Sequence, residues 1–223
     1  MSWRIMPYRS VDEHEVINGL FSSTAVNTTH LTVGDGDAGV FVKVDASNAS
    51  LNRDPLVYES NSTVLGKVNY PDVGRNYIPV VQNKVTAADT GSRCIGLTLA
   101  QTALEDENGV TFYNDPRKAD ALGVIPSGGA VPVLVRGQVT LCETAFDTAT
   151  ITAPGTDLII SQSTAGKVSG QAFAETGITD GIGHQVVGTI VATGSRTALN
   201  NADRFAGAAG TTGDYALCYI SCV

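Results

Sequence analysis

Apolar positions along this chain fall in short runs that are rich in β-branched residues and separated by clusters of Gly, Pro, Asn and Asp. Such runs, bounded by turn-forming residues, are typical of β-strands. The pattern therefore predicts a mainly β protein with antiparallel strands, closed or packed face to face so that no long strand edge stays open. The clearest runs are 39–44, 56–60, 93–99, 131–135, 158–161, 185–191 and 215–220.

In the stretch 122–141, a turn cluster at 126–129 precedes a run of apolar and β-branched residues. It predicts a strand with much of both faces buried, bent once at Gly137. The one charge that the run contains is Arg136. In such apolar surroundings, Arg136 must either point outward or meet an acid.

The N-terminal residues predict an extended arm followed by one short helix. Residues 1–9 show little periodicity and contain Pro7, whereas residues 10–13 read Ser-Val-Asp-Glu and match a capping box. The following residues could form one apolar helical stripe. The arm and helix could pack on their own core or reach a neighbouring subunit. The stripe consists of Val16, Ile17, Leu20 and Phe21.

Three blocks of sequence recur in the same order, which predicts a possible internal duplication. In each half, a strand and a polar turn lead to Gly-Lys-Val, then to a short strand with a glycine at the same place, then to a further strand. A duplication would make the fold a pseudo-repeated set of antiparallel strands. The paired blocks are 56–68 with 158–168, 93–99 with 185–191, and 131–135 with 215–220.

These patterns divide the chain into three segments. Residues 1–22 form the arm with its helix, residues 23–142 a first β pseudo-repeat, and residues 143–223 a second one packed on the first. Two long connections, 101–121 and 194–213, are predicted loops, and loops of that length usually have a function. The first contains Glu-Asp-Glu-Asn-Gly, which predicts an acidic hairpin turn. With the arm, these loops are the candidate contact segments.

Composition and net charge restrict what the protein can bind. The net charge of −8 and the scattered basic residues exclude nucleic-acid binding by a basic face. Charged residues make up only 16% of the 223 residues, which is low for an independent monomer. Either partners cover much of the surface, or the surface uses Ser, Thr, Asn and Gln. No run approaches the ~20 apolar residues of a membrane span.

The sequence assigns no catalytic, cofactor-binding or metal-ligating residue, and it predicts that the protein is not an enzyme. The three histidines, His14, His30 and His184, are isolated, and no nucleophile elbow, P-loop or zinc motif is present. The sequence Gly-Asp-Gly-Asp-Ala-Gly at 34–39 predicts a β-turn cluster, because Ala46 stands where a calcium loop needs an acid.

The four cysteines are expected to be free, buried thiols. Each lies within or beside an apolar run, and no CxxC pair exists. On a strand, Cys218 and Cys222 would share a face but lie too far apart for a disulfide with each other. The other two are Cys94 and Cys142.

Three of these stretches together resemble the head decoration (cement) proteins of tailed bacteriophages. The first is 56–68, a strand ending before a Gly-Lys-Val hairpin; the second is 95–100, Ile-Gly-Leu-Thr-Leu-Ala. The third is 128–139, Gly-Gly-Ala-Val-Pro-Val-Leu-Val-Arg-Gly-Gln-Val. The resemblance covers residues 50–142. Members of that family are smaller and single-copy, so the second half departs from the pattern.

The resemblance implies a β-barrel or "β-tulip" domain on the exterior of an icosahedral capsid. Its partner would be the major capsid protein, and its copies would self-associate, often as trimers. It would bridge neighbouring capsomers and resist the pressure of packaged DNA. It would occupy the host cytoplasm during assembly and the virion afterwards. Two alternatives remain open: another phage β module, such as a tail-tube, fibre or baseplate component, and a β-barrel enzyme or small-molecule binder.

Overall fold

The structure is a computed structural model. The structure describes residues 4–6, 10–22, 27–31, 34–45, 83–112, 114–126, 129–147, 151, 153–171, 185–196 and 213–222. Within these ranges the protein is mainly β with predominantly antiparallel pairing, so the predicted class is confirmed. The strands are β1 (Val16–Ser22), β2 (Asn27–Thr29), β3 (Phe41–Val44), β4 (Asn83–Ala87), β5 (Cys94–Thr98), β6 (Gln101–Glu105), β7 (Val124–Pro126), β8 (Ala130–Leu134), β9 (Arg136–Cys142), β10 (Asp157–Ile160), β11 (Val168–Gln171), β12 (Val186–Arg196) and β13 (Gly213–Ser221); helix α1 is Pro116–Leu122.

The first sheet consists of β1, β4, β3, β5 and β8, and its pairing order returns from β8 to β1. The β1–β4 pair is parallel, and the other pairs are antiparallel. Consecutive residues of these strands are buried in different clusters. Phe41 and Leu134 belong to the large core, whereas Val42 and Val133 belong to a second cluster. Both faces of β3 and β8 are therefore buried, as their apolar sequences predict.

The second sheet has the order β11-β10-β12-β13-β9, and all of its pairs are antiparallel. Ile5, in the N-terminal segment, forms a bridge with Leu141 on the outer edge of β9. The large core contains buried residues from both sheets, including Leu97 of β5 and Ile220 of β13. The two sheets therefore share one hydrophobic core.

The two sheets have the same pairing order, with β4-β3-β5-β8-β1 in the first corresponding to β11-β10-β12-β13-β9 in the second. The register agrees as well. Val42 lies opposite Gly96 and Leu158 lies opposite Gly188, and in both pairs the register shifts immediately afterwards. This agreement is what a duplication would produce, although duplication itself stays a prediction. The sequence pattern paired 56–68 with 158–168, but 56–68 lie outside the described residues. In the structure, β3 occupies the place in the first sheet that β10 occupies in the second.

The stretch 122–141 is not one bent strand, and this prediction is wrong. It contains the end of α1, then β7, β8 and β9. The break between β8 and β9 falls at Val135, whose amide donates to the carbonyl of Glu15 (2.9 Å). There the chain passes from the first sheet to the second, so the change of sheet precedes the 142/143 boundary that the sequence suggested.

The predicted N-terminal helix is also wrong. A 3-10 turn at Glu13–Glu15 is capped by Asp12, whose carboxylate accepts from the amide of His14, and β1 follows directly. Val16 packs against the core while its neighbour Ile17 is exposed, which is the alternation of a strand. A helix cap contributes only about 1 kcal/mol. Pairing of β1 with both β8 and β4, which closes the order of the first sheet, outweighs it.

Candidate interaction surface

A small third sheet, β2-β6-β7, is formed by two connections of the first sheet: β2 lies between β1 and β3, and β6 and β7 lie between β5 and β8. The prediction of a loop over 101–121 is therefore wrong, because this segment contains β6 and most of α1. Local sequence explains the helix: Asp115 accepts from the amide of Lys118, Pro116 occupies the first turn, and Gly123 ends the helix with φ of 64°. Ala119 of α1 packs into a cluster with Ala103, Phe112 and Val124.

The predicted acidic hairpin turn follows β6 and is confirmed. Asp106 organises it, because its carboxylate accepts from the amides of Asn108 and Val110, both at 2.8 Å. The backbone amide of Asp106 also donates to the carbonyl of Val110. One side chain thus holds the turn together from inside, which is a common role for aspartate in turns.

Lys118 joins the helix to this turn. Its Nζ donates to Asp106 at 2.6 Å and to Glu107 at 2.7 Å. These bonds raise the pKa of Lys118. The hydrogen bond from Lys118, followed by that from the Val110 amide, lowers the pKa of Asp106 from 3.8 to about 2. The same lysine lowers the pKa of Glu107.

We expect the Asp106→Asn variant to be less stable than the wild type at neutral pH, and the difference to shrink as pH falls. Because the pKa of Asp106 is lower in the folded protein, its contribution is present above pH 3.8 and is lost as pH falls towards about 2. Urea unfolding between pH 7 and pH 2 measures this. Lys118→Met, which removes the main cause of the shift, should lose the same pH dependence. An unchanged pH profile in both variants would contradict the role given to this pair.

His30, which immediately follows β2, is buried beside the turn. Its Nε2 lies 3.5 Å from a carboxylate oxygen of Glu107, and its ring meets Phe112 edge-on at a centroid distance of 6.0 Å. Its backbone amide donates to the carbonyl of Glu105, and its carbonyl accepts from Gln101. His30 therefore holds the edge of β2 against β6, a contact that its isolated position in the sequence does not reveal.

Exposed apolar side chains are concentrated around the third sheet. Among the described residues, four of the eight large apolar side chains that are exposed belong to this sheet, its flanking turns or α1. Leu31, Leu104 and Val110 are 52%, 43% and 43% exposed. Backbone hydrogen bonds from residue 30 to 105, and from 106 to 110, place these three at one end of the sheet. We call Leu31, Leu104 and Val110 the apolar edge.

The apolar edge adjoins the ion pairs of Lys118 with Asp106 and Glu107, because both acids lie between Leu104 and Val110 in the chain. Exposed apolar residues that cluster within a polar rim are characteristic of interaction surfaces. Sequence reasoning singled out 101–121 but missed Leu31, because 22–50 shows mainly turn-forming residues. The pairing of β2 with β6 brings Leu31 to this place.

The other candidate contact segments are placed differently. Residues 4–6 and 16–22 of the arm pair with β9, β8 and β4 of their own chain. Of 194–213, residues 197–212 lie outside the described part, and the rest belongs to β12 and β13. Arg136 points outward, where its Nε donates to Tyr219 Oη and its guanidinium lies 5.9 Å from the centre of that ring.

Within the described residues, no group of three or more His, Cys, Asp or Glu side chains is arranged to hold a metal ion. The predicted turn at 34–39 is confirmed by a hydrogen bond from the Asp37 amide to the Gly34 carbonyl. The Asp37 carboxylate is engaged by Asn27 and Arg4. In this same part of the chain, no helix has the length and hydropathy needed to cross a bilayer.

Comparison with known proteins identifies no family. No protein-family model matches the chain, and searches of curated proteins and of solved structures returned no significant match.

Proposed function

We propose that this protein is a structural component of a bacteriophage virion. It binds the exterior of an icosahedral capsid through the major capsid protein and stabilises neighbouring capsomers. Its copies associate, as trimers, and it acts without catalysis or cofactor. It enters the virion from the host cytoplasm during assembly. The proposal draws on the resemblance of the strand pattern in 56–68, 95–100 and 128–139 to head decoration proteins, which is a resemblance of sequence pattern alone.

The single observation that carries the proposal is the apolar edge. In a specific protein interface, apolar side chains occupy the buried centre and polar groups surround it. Leu104 and Val110 are exposed beside an organised turn, and the turn is fixed by the bonds of Asp106 to Asn108, Val110 and Lys118. A fixed surface loses little conformational entropy on binding, which favours affinity. This surface therefore suits a protein partner.

The low charge content fits the same role. A surface with few charges gives up less hydration when it is covered. Each contact with the capsid can be modest, because a protein that touches two capsomers at once gains affinity from the second contact. Bridging of neighbouring capsomers requires no catalytic site.

The direct test measures binding to expanded capsids that lack the protein. The double variant Leu104→Ser/Val110→Ser should bind about tenfold or more weakly, because it removes the apolar centre of the proposed contact. A matched control is Val186→Ser/Val191→Ser, since both valines lie on β12 of the second sheet and are each 49% exposed. The control should bind like the wild type. Equal binding by all three proteins, or a larger loss in the control, would contradict this assignment.

Location in the particle is a separate test. Electron microscopy of virions carrying a labelled copy should show label over the whole head. Label confined to the tail or baseplate would overturn the capsid assignment and favour another phage β module. Heads that lack the protein should also lose DNA more readily on heating, and equal heat stability would count against a stabilising role.

A further inference from the structure

Two of the four cysteines meet in the core shared by the two sheets. Cys94 is the first residue of β5, and Cys222 follows the last residue of β13. Their sulfur atoms are 3.9 Å apart, and the side chains are fully and almost fully buried. They are separated by 128 positions in the sequence. None of the four cysteines forms a disulfide, so the expectation of free, buried thiols is confirmed.

We infer that Cys94 and Cys222 form a site of oxidative modification, at which a peroxide converts the thiol pair into a disulfide that joins the two sheets. The sulfur atoms need to approach by about 2 Å to reach the S–S bond length of about 2.05 Å. Cys222 lies just beyond β13, where its backbone amide donates to the carbonyl of Val135 (3.0 Å), so the sulfur atoms approach by rotation about side-chain bonds rather than by movement of the backbone.

The reaction consumes one peroxide for each disulfide. One sulfur, as its thiolate, attacks a peroxide oxygen; the O–O bond breaks, and the hydroxide that leaves takes up a proton to become water. The sulfenic acid formed is attacked by the second sulfur, so that the S–O bond breaks, the S–S bond forms and a second water leaves. Two electrons pass from the sulfur pair to the peroxide.

The surroundings of the two thiols slow their oxidation but favour a disulfide as its product. Each thiol points at a backbone carbonyl, Cys94 at Gly96 and Cys222 at Val187. The hydrogen bond with Cys222, together with burial, raises the pKa of Cys94. Because the thiolate is the reactive form, oxidation near neutral pH is slower than for an exposed cysteine. Once the first sulfur is oxidised, its partner is already adjacent, which favours the disulfide over further oxidation.

Such a cross-link would be useful to a protein that moves between redox environments. If it is a virion component as proposed, it leaves a reducing cytoplasm for an oxidising medium, where disulfides persist. The modification site itself does not depend on that function. It can be tested on the isolated chain, so failure of capsid binding and failure of cross-linking are separate results.

The test treats the reduced, full-length protein with hydrogen peroxide, blocks remaining thiols in denaturant, and maps peptides without reduction. The thiol count should fall from four to two, since one disulfide uses two thiols, and the linked peptides should contain Cys94 and Cys222. The melting temperature should rise on oxidation and return after reduction, because the bond closes a long loop.

Serine substitutions at single cysteines test whether Cys94 and Cys222 are the two that form the disulfide. Cys222→Ser and Cys94→Ser should each abolish the cross-link and the rise in melting temperature. Cys218→Ser should keep both, because Cys218 lies on β13 and donates to the carbonyl of Ala216. A cross-link that persists in Cys222→Ser, or oxidation of the wild type to sulfinic acid without a linked peptide, would overturn the inference.

Discussion

Replacing Arg4 with methionine is expected to lower the free energy of unfolding by about 3–5 kcal/mol, the usual cost of leaving one member of a buried ion pair alone. The side chains of Arg4 and Asp37 are 5% and 6% exposed, and Nε lies 3.6 Å from the carboxylate. The guanidinium also donates to the carbonyls of Gly34 and Gly166. One side chain thus connects the N-terminal segment, the 34–39 turn and the turn between β10 and β11. Urea unfolding at neutral pH measures the loss.

Two comparisons separate this ion pair from a general effect of losing an arginine. Arg136→Met removes an exposed arginine and should change stability much less. The double variant Arg4→Met/Asp37→Asn should be more stable than Arg4→Met alone, because the amide carries no charge that needs a partner. Burial is the largest influence on both groups: it lowers the pKa of Arg4 and raises that of Asp37.

The pH dependence of the free energy of unfolding gives a further test of the Arg4–Asp37 pair. In Arg4→Met the deficit in stability should shrink as pH falls, because protonation of Asp37 removes the unpaired charge, and a raised folded pKa means that the folded state takes up this proton more readily. A deficit that is equal at all pH values, or a double variant less stable than the single one, would contradict a charge-based explanation.

Gly96→Ala and Gly188→Ala are each expected to destabilise the protein by about 1–3 kcal/mol, the usual cost of forcing extra atoms into a packed site. A β-carbon at Gly96 would overlap the carbonyl oxygen of Leu134, and one at Gly188 would overlap that of Tyr219. In both cases the obstacle is the backbone of the neighbouring strand, which cannot move without disturbing the ladder. Thermal unfolding of the two variants checks the prediction.

Gly194→Ala is the matched control for these substitutions. It lies on β12 with Gly188, but its added β-carbon would meet the ring of Tyr215, whose end can swing aside. Its effect should therefore be smaller. Similar losses at Gly96 and Gly188 would also fit the corresponding registers of the two sheets. Full stability in either variant would show that the strands can separate there at no cost.

Much of the strand pattern could be predicted from the sequence, because a strand that is buried on both faces has consecutive apolar residues. Phe41-Val42 and Val133-Leu134 are consecutive apolar residues, and each member of a pair is buried in a different cluster. The sequence also contains a glycine at the same place in 93–99 and 185–191, and the structure puts Gly96 and Gly188 at corresponding register positions. The acidic turn was readable because Asp, Asn and Gly form turns through local bonds.

The errors arose where long-range pairing overrode local preference. Residues 10–21 carry a helix cap, but β8 and β4 offer hydrogen bonds to both edges of β1. Residues 101–121 look like a polar loop, yet β6 pairs with β2 and β7, and the helix covers Ala103. The meeting of Cys94 with Cys222 and of Arg4 with Asp37 has no sequence signal, because these residues lie far apart along the chain.

Residue types and their local period were enough to predict the mainly β class, the lack of a recognisable catalytic motif and the burial of the cysteines. Only the folded chain reveals that it changes sheets at Val135, that Leu31 joins Leu104 and Val110 in the apolar edge, and that two sulfur atoms lie 3.9 Å apart. Those features depend on which strands pair, and pairing is fixed by the energy of the whole core rather than by any single segment.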